Sequence, residues 1–96
     1  MKMRPEERKA KILAAGLKLA VQNGYMRLTD RDLAREAKCS KSLVLHHFGS
    51  IHTVRSEVLR EAIRTENLAV IRQGWGMNAP EIKTCPPEIL KRVFND

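Results

Sequence analysis

The sequence predicts an all-α protein in which a three-helix unit, containing a helix-turn-helix, is followed by a long fourth helix and a short C-terminal helix. Apolar residues recur at helical spacing along the 96 residues, and residues suited to helix starts and stops separate the apolar segments. Hydrophobic residues make up 43% of the chain but aromatic residues only 4%, which favours an aliphatic core between helices.

The first two helices are predicted from the residues at their ends. A proline followed by two acidic residues suits the positive end of a helix dipole, so the first helix is predicted over Pro5 to Asn23. Gly24 is the stop signal. After a short connection, Tyr25 to Leu28, Thr29 is placed to cap the second helix, which is expected to end before Lys38.

The remaining helices are separated by further serine, glycine and proline signals. Ser40 can cap a third helix that ends at Phe48, and Ser50 can cap a long fourth helix that continues to near Gln73. Residues 74–80, GWGMNAP, contain two glycines and a proline and are predicted to break the helical pattern. The segment EILKRVF after the double proline at 86–87 is predicted to form a short terminal helix.

The net positive charge lies in the first part of the chain. Residues 1–60 contain thirteen Lys or Arg against six Asp or Glu, a net charge of +7, whereas residues 61–96 contain five of each. A compact basic module is typical of proteins that bind a polyanion, with nucleic acid ahead of an anionic membrane surface. A basic surface that is merely solvated is the alternative, and it applies in particular to Lys2, Arg4, Lys9 and Lys11.

Several other classes of function lack their sequence signals. Cys39 and Cys85 have no CxxC partner, so neither a zinc site nor a disulfide framework is indicated, and a reducing cytoplasm fits best. The adjacent side chains of His46 and His47 diverge by about 100° on a helix, which disfavours a metal site together with His52. We expect no cofactor and no membrane span, and no catalytic constellation indicates an enzyme.

Residues 12–50 carry a more specific pattern, ILAAGLKLAVQNGYMRLTDRDLAREAKCSKSLVLHHFGS. It contains an Ile-Leu-x-Ala-Ala-like first helix ending in Gly-Tyr, a Leu-Thr before the second helix, a Leu-Ala within it, and a Ser-(x)₆-His-Phe in the third. This run resembles the N-terminal DNA-binding domain of TetR-family transcriptional repressors, in an unusually short form. Three positions depart from the family pattern, with Lys38 in place of Gly, Leu45 in place of Tyr and Ile51 in place of Lys.

The resemblance implies which residues meet DNA. The residues expected to face the groove and read bases are Arg31, Lys41, Ser42, Leu43, Leu45 and His46. Those expected to approach the phosphate backbone are Thr29, His47 and Ser50. The side-chain chemistry agrees in part, because Lys and Arg can donate to guanine O6 and N7 and Leu can contact a thymine methyl group. For His47, a capping or core-edge role is an equal alternative.

Apolar residues are assigned to a core or to a dimer interface. The predicted core contains Ile12, Leu19, Leu33, Ala37, Cys39, Val44, Phe48 and Val54. A domain this small should not bury two further helices alone, so a second set is predicted to form a homodimer interface. That set is Leu59, Ile63, Leu68, Ile71, Trp75, Ile89, Leu90, Val93 and Phe94. Residues 1–50 are thus the expected DNA-binding unit and residues 51–96 the expected dimerisation segment.

The function expected from these features is a small repressor that binds a palindromic operator in double-stranded DNA as a homodimer. The roughly 45 residues after the helix-turn-helix are too few to build an effector pocket, so we expect no small-molecule effector. We expect the protein in the cytoplasm, associated with the nucleoid. Two alternatives are an interaction module that heterodimerises with a larger TetR-like regulator and titrates it, and the DNA-binding fragment of a longer ligand-sensing repressor.

Overall fold

The computed structural model describes residues 3–95, and this part of the chain is all-α, as predicted. Its helices are α1 (Pro5–Asn23), α2 (Asp30–Ala37), α3 (Lys41–Phe48), α4 (Ile51–Arg64), α5 (Leu68–Gly76) and α6 (Pro87–Asn95). Two short 3₁₀ segments, Tyr25–Arg27 and Pro80–Thr84, lie in the connections before α2 and α6. The bounds of α1 and the ends of α2 and α3 match the sequence prediction closely.

Side-chain caps start α2, α3 and α4 where the sequence predicts them. In each case a hydroxyl oxygen accepts a hydrogen bond from the backbone N–H three residues later, at 3.1 to 3.2 Å. The capping residues are Thr29, Ser40 and Ser50. Because the first N–H groups of a helix have no partner within the helix, each cap fixes the residue at which its helix begins.

The prediction of one long fourth helix is wrong, because the helix ends at Arg64 and a new helix, α5, begins at Leu68. The break is at Glu66, whose φ of 57° is left-handed, and the next residue, Asn67, caps α5 by accepting from Val70 N at 3.2 Å. The Asn67 N–H in turn donates to Ala62 O at 2.8 Å, which closes the end of α4. The apolar spacing continues through the break, so periodicity alone did not reveal it.

Residues 74–76, the first part of the segment predicted to interrupt the helical pattern, belong to α5, and Gly74 has a packing role there. Gly74 lies in α5 against the buried side chain of Leu59, and a Cβ added at Gly74 would lie 2.8 Å from a Leu59 methyl carbon. The same Cβ would lie 3.1 Å from Ile82. The absence of a side chain at residue 74 therefore allows α5 to pack closely on α4, and α5 continues to Gly76.

One apolar core joins all six helices. Its fully buried members include Ile12, Leu33, Val44, Val54 and Val58, which come from α1 to α4. The predicted core assignments are confirmed for Ile12, Leu33, Ala37, Val44, Phe48 and Val54, whereas Leu19 and Cys39 are half-buried and pack against the core. The α4 helix packs mainly on α1, and α6 packs mainly on α5.

The core also takes four of the nine residues that the sequence assigned to a dimer interface. These four are buried within a single chain: Leu59, Ile63, Ile71 and Val93. The premise that one chain cannot bury its later helices is therefore wrong, because the break at Glu66 folds α5 back onto α4 and α1. Leu68, Ile89 and Leu90 are half-buried, and Trp75 and Phe94 are exposed.

Candidate nucleic-acid interface

A three-residue turn joins α2 to α3 and sets the angle between them. Lys38 ends α2 in the left-handed conformation, with φ 56° and ψ 48°. The next N–H, of Cys39, donates to Ala34 O at 2.9 Å, and Ser40 then caps α3. A lysine in this conformation costs about 1 kcal/mol relative to glycine. The turn therefore forms without the glycine that the family pattern places there.

The α3 helix has one buried face and one exposed face. Val44 and Phe48, one helical turn apart, point into the core, with Leu43 and His47 half-buried at its edges. The opposite face is exposed and is here called the α3 stripe: Lys41, Ser42, Leu45 and His46. It contains four of the six predicted base readers, and Leu45 is 38% exposed.

The other two predicted base readers lie in different surroundings. Arg31 is exposed in the first turn of α2, and within residues 3–95 neither Arg31 nor Lys41 forms an ion pair. Leu43 is half-buried, and its N–H donates to the capping oxygen of Ser40 at 3.1 Å. The side chain of Leu43 therefore offers less surface to a ligand than the α3 stripe does.

The three residues predicted to contact the phosphate backbone of DNA all lie at the ends of helices. Thr29 is exposed, and because a hydroxyl that accepts one hydrogen bond still carries a donor hydrogen, it can cap α2 and donate to a phosphate together. Ser50 caps α4, and its oxygen lies 3.2 Å from Thr53 Oγ1. The half-buried ring of His47 meets the His46 ring edge-on, with centroids 5.4 Å apart.

The start of α1 lies beside the end of α3. The Lys9 Nζ is 5.3 Å from the centroid of the Phe48 ring, a cation–π contact. Lys9 therefore adds a positive charge beside α3, Lys11 is exposed on the same helix, and Arg4 is exposed directly before that helix. Lys2, the fourth basic residue considered at this end of the chain, lies outside the described residues.

Two polar side chains from the later helices hold the segment that leads into α2. Gln73 on α5 accepts a hydrogen bond from Tyr25 N at 2.8 Å and donates from Nε2 to Ala20 O at 2.9 Å. We call this pair of bonds the Gln73 clamp. Arg55 on α4 donates from Nε and Nη2 to Leu28 O, at 3.3 and 2.9 Å. These contacts fix the backbone directly before Thr29.

Sequence reasoning missed both of these positioning residues. Gln73 lies 48 residues from Tyr25 and 53 from Ala20, and Arg55 lies 27 from Leu28, so no local spacing rule connects them. For Gln73 the available signal was a polar side chain in the largely apolar stretch of α5, whereas Arg55 lies among other polar residues of α4. The Tyr25 ring is itself buried, and burial, together with the nearby carboxylate of Glu81, raises the pKa of its phenol above the ordinary value.

The interface is an exposed surface that can present hydrogen-bond donors to a nucleic acid. Within residues 3–95, no group of three or more His, Cys, Asp or Glu residues is arranged to hold a metal ion. The same part of the chain contains no helix that is long and apolar enough to cross a membrane. Cationic, hydroxyl and apolar side chains on one exposed helix face are the groups that read base edges in a major groove.

Comparison with known proteins gives one family and one relative. Residues 12–58 match the model of the bacterial regulatory proteins of the tetR family. The HTH-type transcriptional regulator HbdR of Aromatoleum sp. (strain CIB) is 32% identical over 80 residues, which cover 83% of this chain and 35% of HbdR. The chain thus spans about a third of the length of that relative. No solved structure is similar enough to count as a match.

The family match and the geometry agree on the same segment. The matched residues 12–58 run from the first buried residue of α1 to Val58 in α4 and include the complete helix-turn-helix with its two side-chain caps. Through these residues the chain belongs to the TetR family of bacterial regulatory proteins, and they form its helix-turn-helix DNA-binding domain.

Proposed function

We propose that this protein is a transcriptional repressor that binds a palindromic operator as a homodimer and needs no small-molecule effector. The observation that supports it is the α3 stripe, because the helix is capped at one end, buried along one face and exposed along the face that carries Lys41, Ser42, Leu45 and His46. Such a helix can enter a major groove without unfolding any other part of the protein.

Within this proposal the exposed residues have distinct roles. Lys41 and Arg31 donate to guanine O6 and N7, Ser42 donates or accepts, and Leu45 packs on a thymine methyl group. His46 lies beside Ser42 on the same face, one helical turn later. Leu43 contributes less, because it is half-buried.

Backbone contacts position the helix without reading sequence. Thr29 donates to a phosphate from the N-terminus of α2, where the helix dipole also favours an anion. Ser50 does the same from α4, and His47 meets the backbone only at its exposed edge. Repression then follows from occupancy, because a protein seated on a promoter excludes polymerase from the same DNA.

A second candidate function is supported by two of the three positions that depart from the family pattern. Leu45 and Ile51 cannot supply the phosphate contacts of a tyrosine and a lysine, and Ile51 packs its half-buried side chain against the core. A chain with weakened DNA contacts could pair with a larger TetR-like regulator and titrate it. The net charge of +7 in residues 1–60 argues for direct DNA binding instead.

The salt dependence of binding tests the proposal. The chain is titrated against fluorescent duplexes that carry its own upstream DNA or a scrambled sequence, at 50 and 200 mM salt. If a dimer neutralises about six to ten phosphates, affinity should fall by about 10³ to 10⁵-fold between these conditions. Equal affinity for both duplexes, or a flat salt response, would contradict the proposal.

Matched variants separate base reading from positioning. Lys41→Ala should weaken the cognate duplex by about 1 to 3 kcal/mol and leave the scrambled one nearly unchanged. Thr29→Ala should weaken both duplexes alike. The control is Lys18→Ala, since Lys18 already pairs with Glu36 at 3.1 Å and lies outside the proposed interface. If Lys41→Ala weakened both duplexes equally, its assignment as a base reader would be wrong.

A further inference from the structure

All three histidines of the chain lie at one corner of the fold, where α3 ends and α4 begins. His46 and His47 are in the last turn of α3, and His52 is the second residue of α4. The side chains of His46 and His52 are exposed, and that of His47 is half-buried. We call these three residues the histidine corner. Because it joins the α3 stripe to the helix that Ser50 caps, it belongs to the proposed DNA interface.

The sequence around the histidine corner contains no acidic residue. Residues 37–56 include Lys38, Lys41, Arg55 and the three histidines, but no Asp or Glu. Histidine is the side chain that ordinarily changes its charge between about pH 5 and pH 8. Protonation of the corner would therefore raise the formal charge of this stretch from +3 to +6.

His52 lies near the N-terminus of α2 as well as at the start of α4. It is one helical turn before Arg55, on the same face of α4. Arg55 donates to Leu28 O at 2.9 Å, directly before Thr29. A groove of about 250 Å³ is lined by His52 and Arg55 together with Tyr25, which begins the 3₁₀ segment before α2. His52 therefore adds a nitrogen donor beside the segment that leads to Thr29, the proposed phosphate contact of α2.

His52 can supply a positive charge that the preceding residue lacks. Where the family pattern has a lysine, this chain has Ile51, whose half-buried side chain packs against the core. The side chain of His52, in contrast, is exposed. An imidazole carries a positive charge only after it has bound a proton, whereas a lysine is charged throughout the neutral range. A phosphate contact made by His52 would therefore depend on pH.

The free chain offers the histidines no carboxylate partner. Within residues 3–95, none of the ion pairs includes a histidine. Glu81 lines the groove beside His52, but its carboxylate accepts a hydrogen bond from Ser56 Oγ at 2.5 Å. The guanidinium of Arg55 and the phenol of Tyr25 are the other titratable groups that line this groove.

The helices packed against α3 contribute charges of both signs. On α2, Asp32 lies 4.0 Å from Arg35, and Glu36 lies 3.1 Å from Lys18. The other charged residues on the first turns of α1, on α2 with its C-cap, and on the first turns of α4 are Glu6, Glu7, Arg8, Lys9, Lys11, Asp30, Arg31, Lys38, Arg55, Glu57 and Arg60. Basic residues outnumber acidic ones in this set, so DNA would supply the anion that the corner lacks.

We propose that the histidine corner takes up protons from solvent when the protein binds DNA, with His52 as a phosphate contact in addition to Thr29, His47 and Ser50. A phosphate beside an imidazole favours its charged form, so DNA binding and protonation strengthen each other. The inference rests on the proposed function, because it uses the DNA interface of α3 and α4. It goes beyond that function by making the affinity for DNA rise as the pH falls.

Duplex titrations at about pH 6 and about pH 8, each over a range of salt concentrations, test the proposal. For a dimer, one added phosphate contact per protomer should steepen the slope of log K against log salt by about 2 at the lower pH. At a fixed salt concentration, the affinity should be at least about tenfold higher at the lower pH. Calorimetric titrations in two buffers of different ionisation enthalpy should show net proton uptake on binding.

Two variants of His52 separate its charge from its hydrogen bonding. His52→Gln keeps a donor but cannot be protonated, so the ratio of the affinities at the two pH values should be at least about threefold smaller than in the parent chain. His52→Lys is charged at both pH values, so at the higher pH it should bind DNA about tenfold more tightly than the parent chain.

The matched control is Lys91→His, which adds a titrating side chain at an exposed position of α6, a helix that packs mainly on α5. This variant should keep the pH dependence of the parent chain. Equal affinity at the two pH values, or binding without proton uptake, would overturn the proposal, and so would a His52→Gln variant with the pH dependence of the parent chain. A circular dichroism spectrum that changes with pH in step with binding would also overturn it, because the effect would then arise from folding.

The outcomes distinguish this inference from the proposed function when the upstream and the scrambled duplex are both titrated. A chain that prefers its upstream DNA but binds it equally at both pH values would overturn the inference and leave sequence-specific binding intact. A chain that binds both duplexes alike, and more tightly at the lower pH with proton uptake, would support the inference and contradict the proposed function.

Discussion

The Gln73 clamp should contribute a large share of the stability of the DNA-binding unit. Replacing Gln73 by leucine removes the hydrogen bonds to Tyr25 N and Ala20 O, at 2.8 and 2.9 Å. Both backbone groups are part-buried, and a buried polar group left without a partner costs about 1 to 3 kcal/mol. Ala20 O keeps its hydrogen bond from Gly24 N at 2.8 Å, so Gln73→Leu leaves only Tyr25 N without a partner. Because water can reach part of this site, the lower half of that range applies, and the expected loss is about 1 to 2 kcal/mol.

Thermal and urea unfolding followed by circular dichroism measure this loss. For a domain of this size, 1 kcal/mol shifts Tm by about 4 to 8 °C, so Gln73→Leu should lower Tm by about 4 to 16 °C. Gln73→Glu keeps an acceptor for Tyr25 N but loses the donor to Ala20 O, and its loss should be intermediate. The control is Gln22→Leu, because Gln22 is exposed on α1 and a change there should stay within about 0.5 kcal/mol.

A Gln73→Leu variant as stable as Gln22→Leu would refute this reasoning. It would mean that the α1–α2 connection holds its conformation without α5, and that the helix-turn-helix is independent of the later helices. The unfolding data therefore also test whether residues 1–50 form a separate unit.

Three further predictions concern packing and titration. In urea unfolding, Gly74→Ala should be less stable than Gly76→Ala by about 1 to 3 kcal/mol. A Cβ at residue 74 would lie 2.8 Å from a methyl carbon of the buried Leu59, whereas a Cβ at residue 76 would have no neighbour within 4 Å. Equal stabilities of the two variants would contradict this packing. Spectrophotometric titration of Tyr25, the only tyrosine, should give a phenol pKa above the ordinary value of 10. Because the phenol then ionises at a lower pH in the unfolded chain than in the folded one, the free energy of unfolding should fall as the pH rises above 10. An ordinary phenol pKa would contradict the burial of Tyr25. Burial raises the pKa of the Cys85 thiol, so Cys85 should react with a disulfide reagent at pH 8 more slowly than the half-buried Cys39, and equal rates would count against the fold of the tail.

Local chemistry was enough to predict the helix-turn-helix. The capping hydrogen bonds of Thr29, Ser40 and Ser50 each reach a backbone N–H only three residues later in the sequence. The residue types at these positions therefore determine where α2, α3 and α4 begin. The exposure of Lys41 and Leu45 follows from the position of Val44 and Phe48, which the apolar pattern places in the core.

Features that depend on distant packing could not be predicted in this way. The break at Glu66 does not interrupt the apolar spacing, and that continuous spacing concealed the local cap at Asn67, which accepts from Val70 N. The return of α5 onto α4 and α1 depends on contacts between distant residues. The same reversal buries Leu59 and Ile71, which a straight fourth helix would have left for a partner. The contacts of Gln73 and Arg55 depend on the same reversal and on the packing of α4 against α1.

Selection of binding sites from a random duplex pool tests the central claim most directly. The claim is that the α3 stripe reads base sequence, so the parent chain should enrich a palindromic motif with half-sites about 10 base pairs apart. Lys41→Ala should enrich the same motif with its preference relaxed at one base pair in each half-site. Failure to enrich any motif, or an identical motif at every position with Lys41→Ala, would contradict the account.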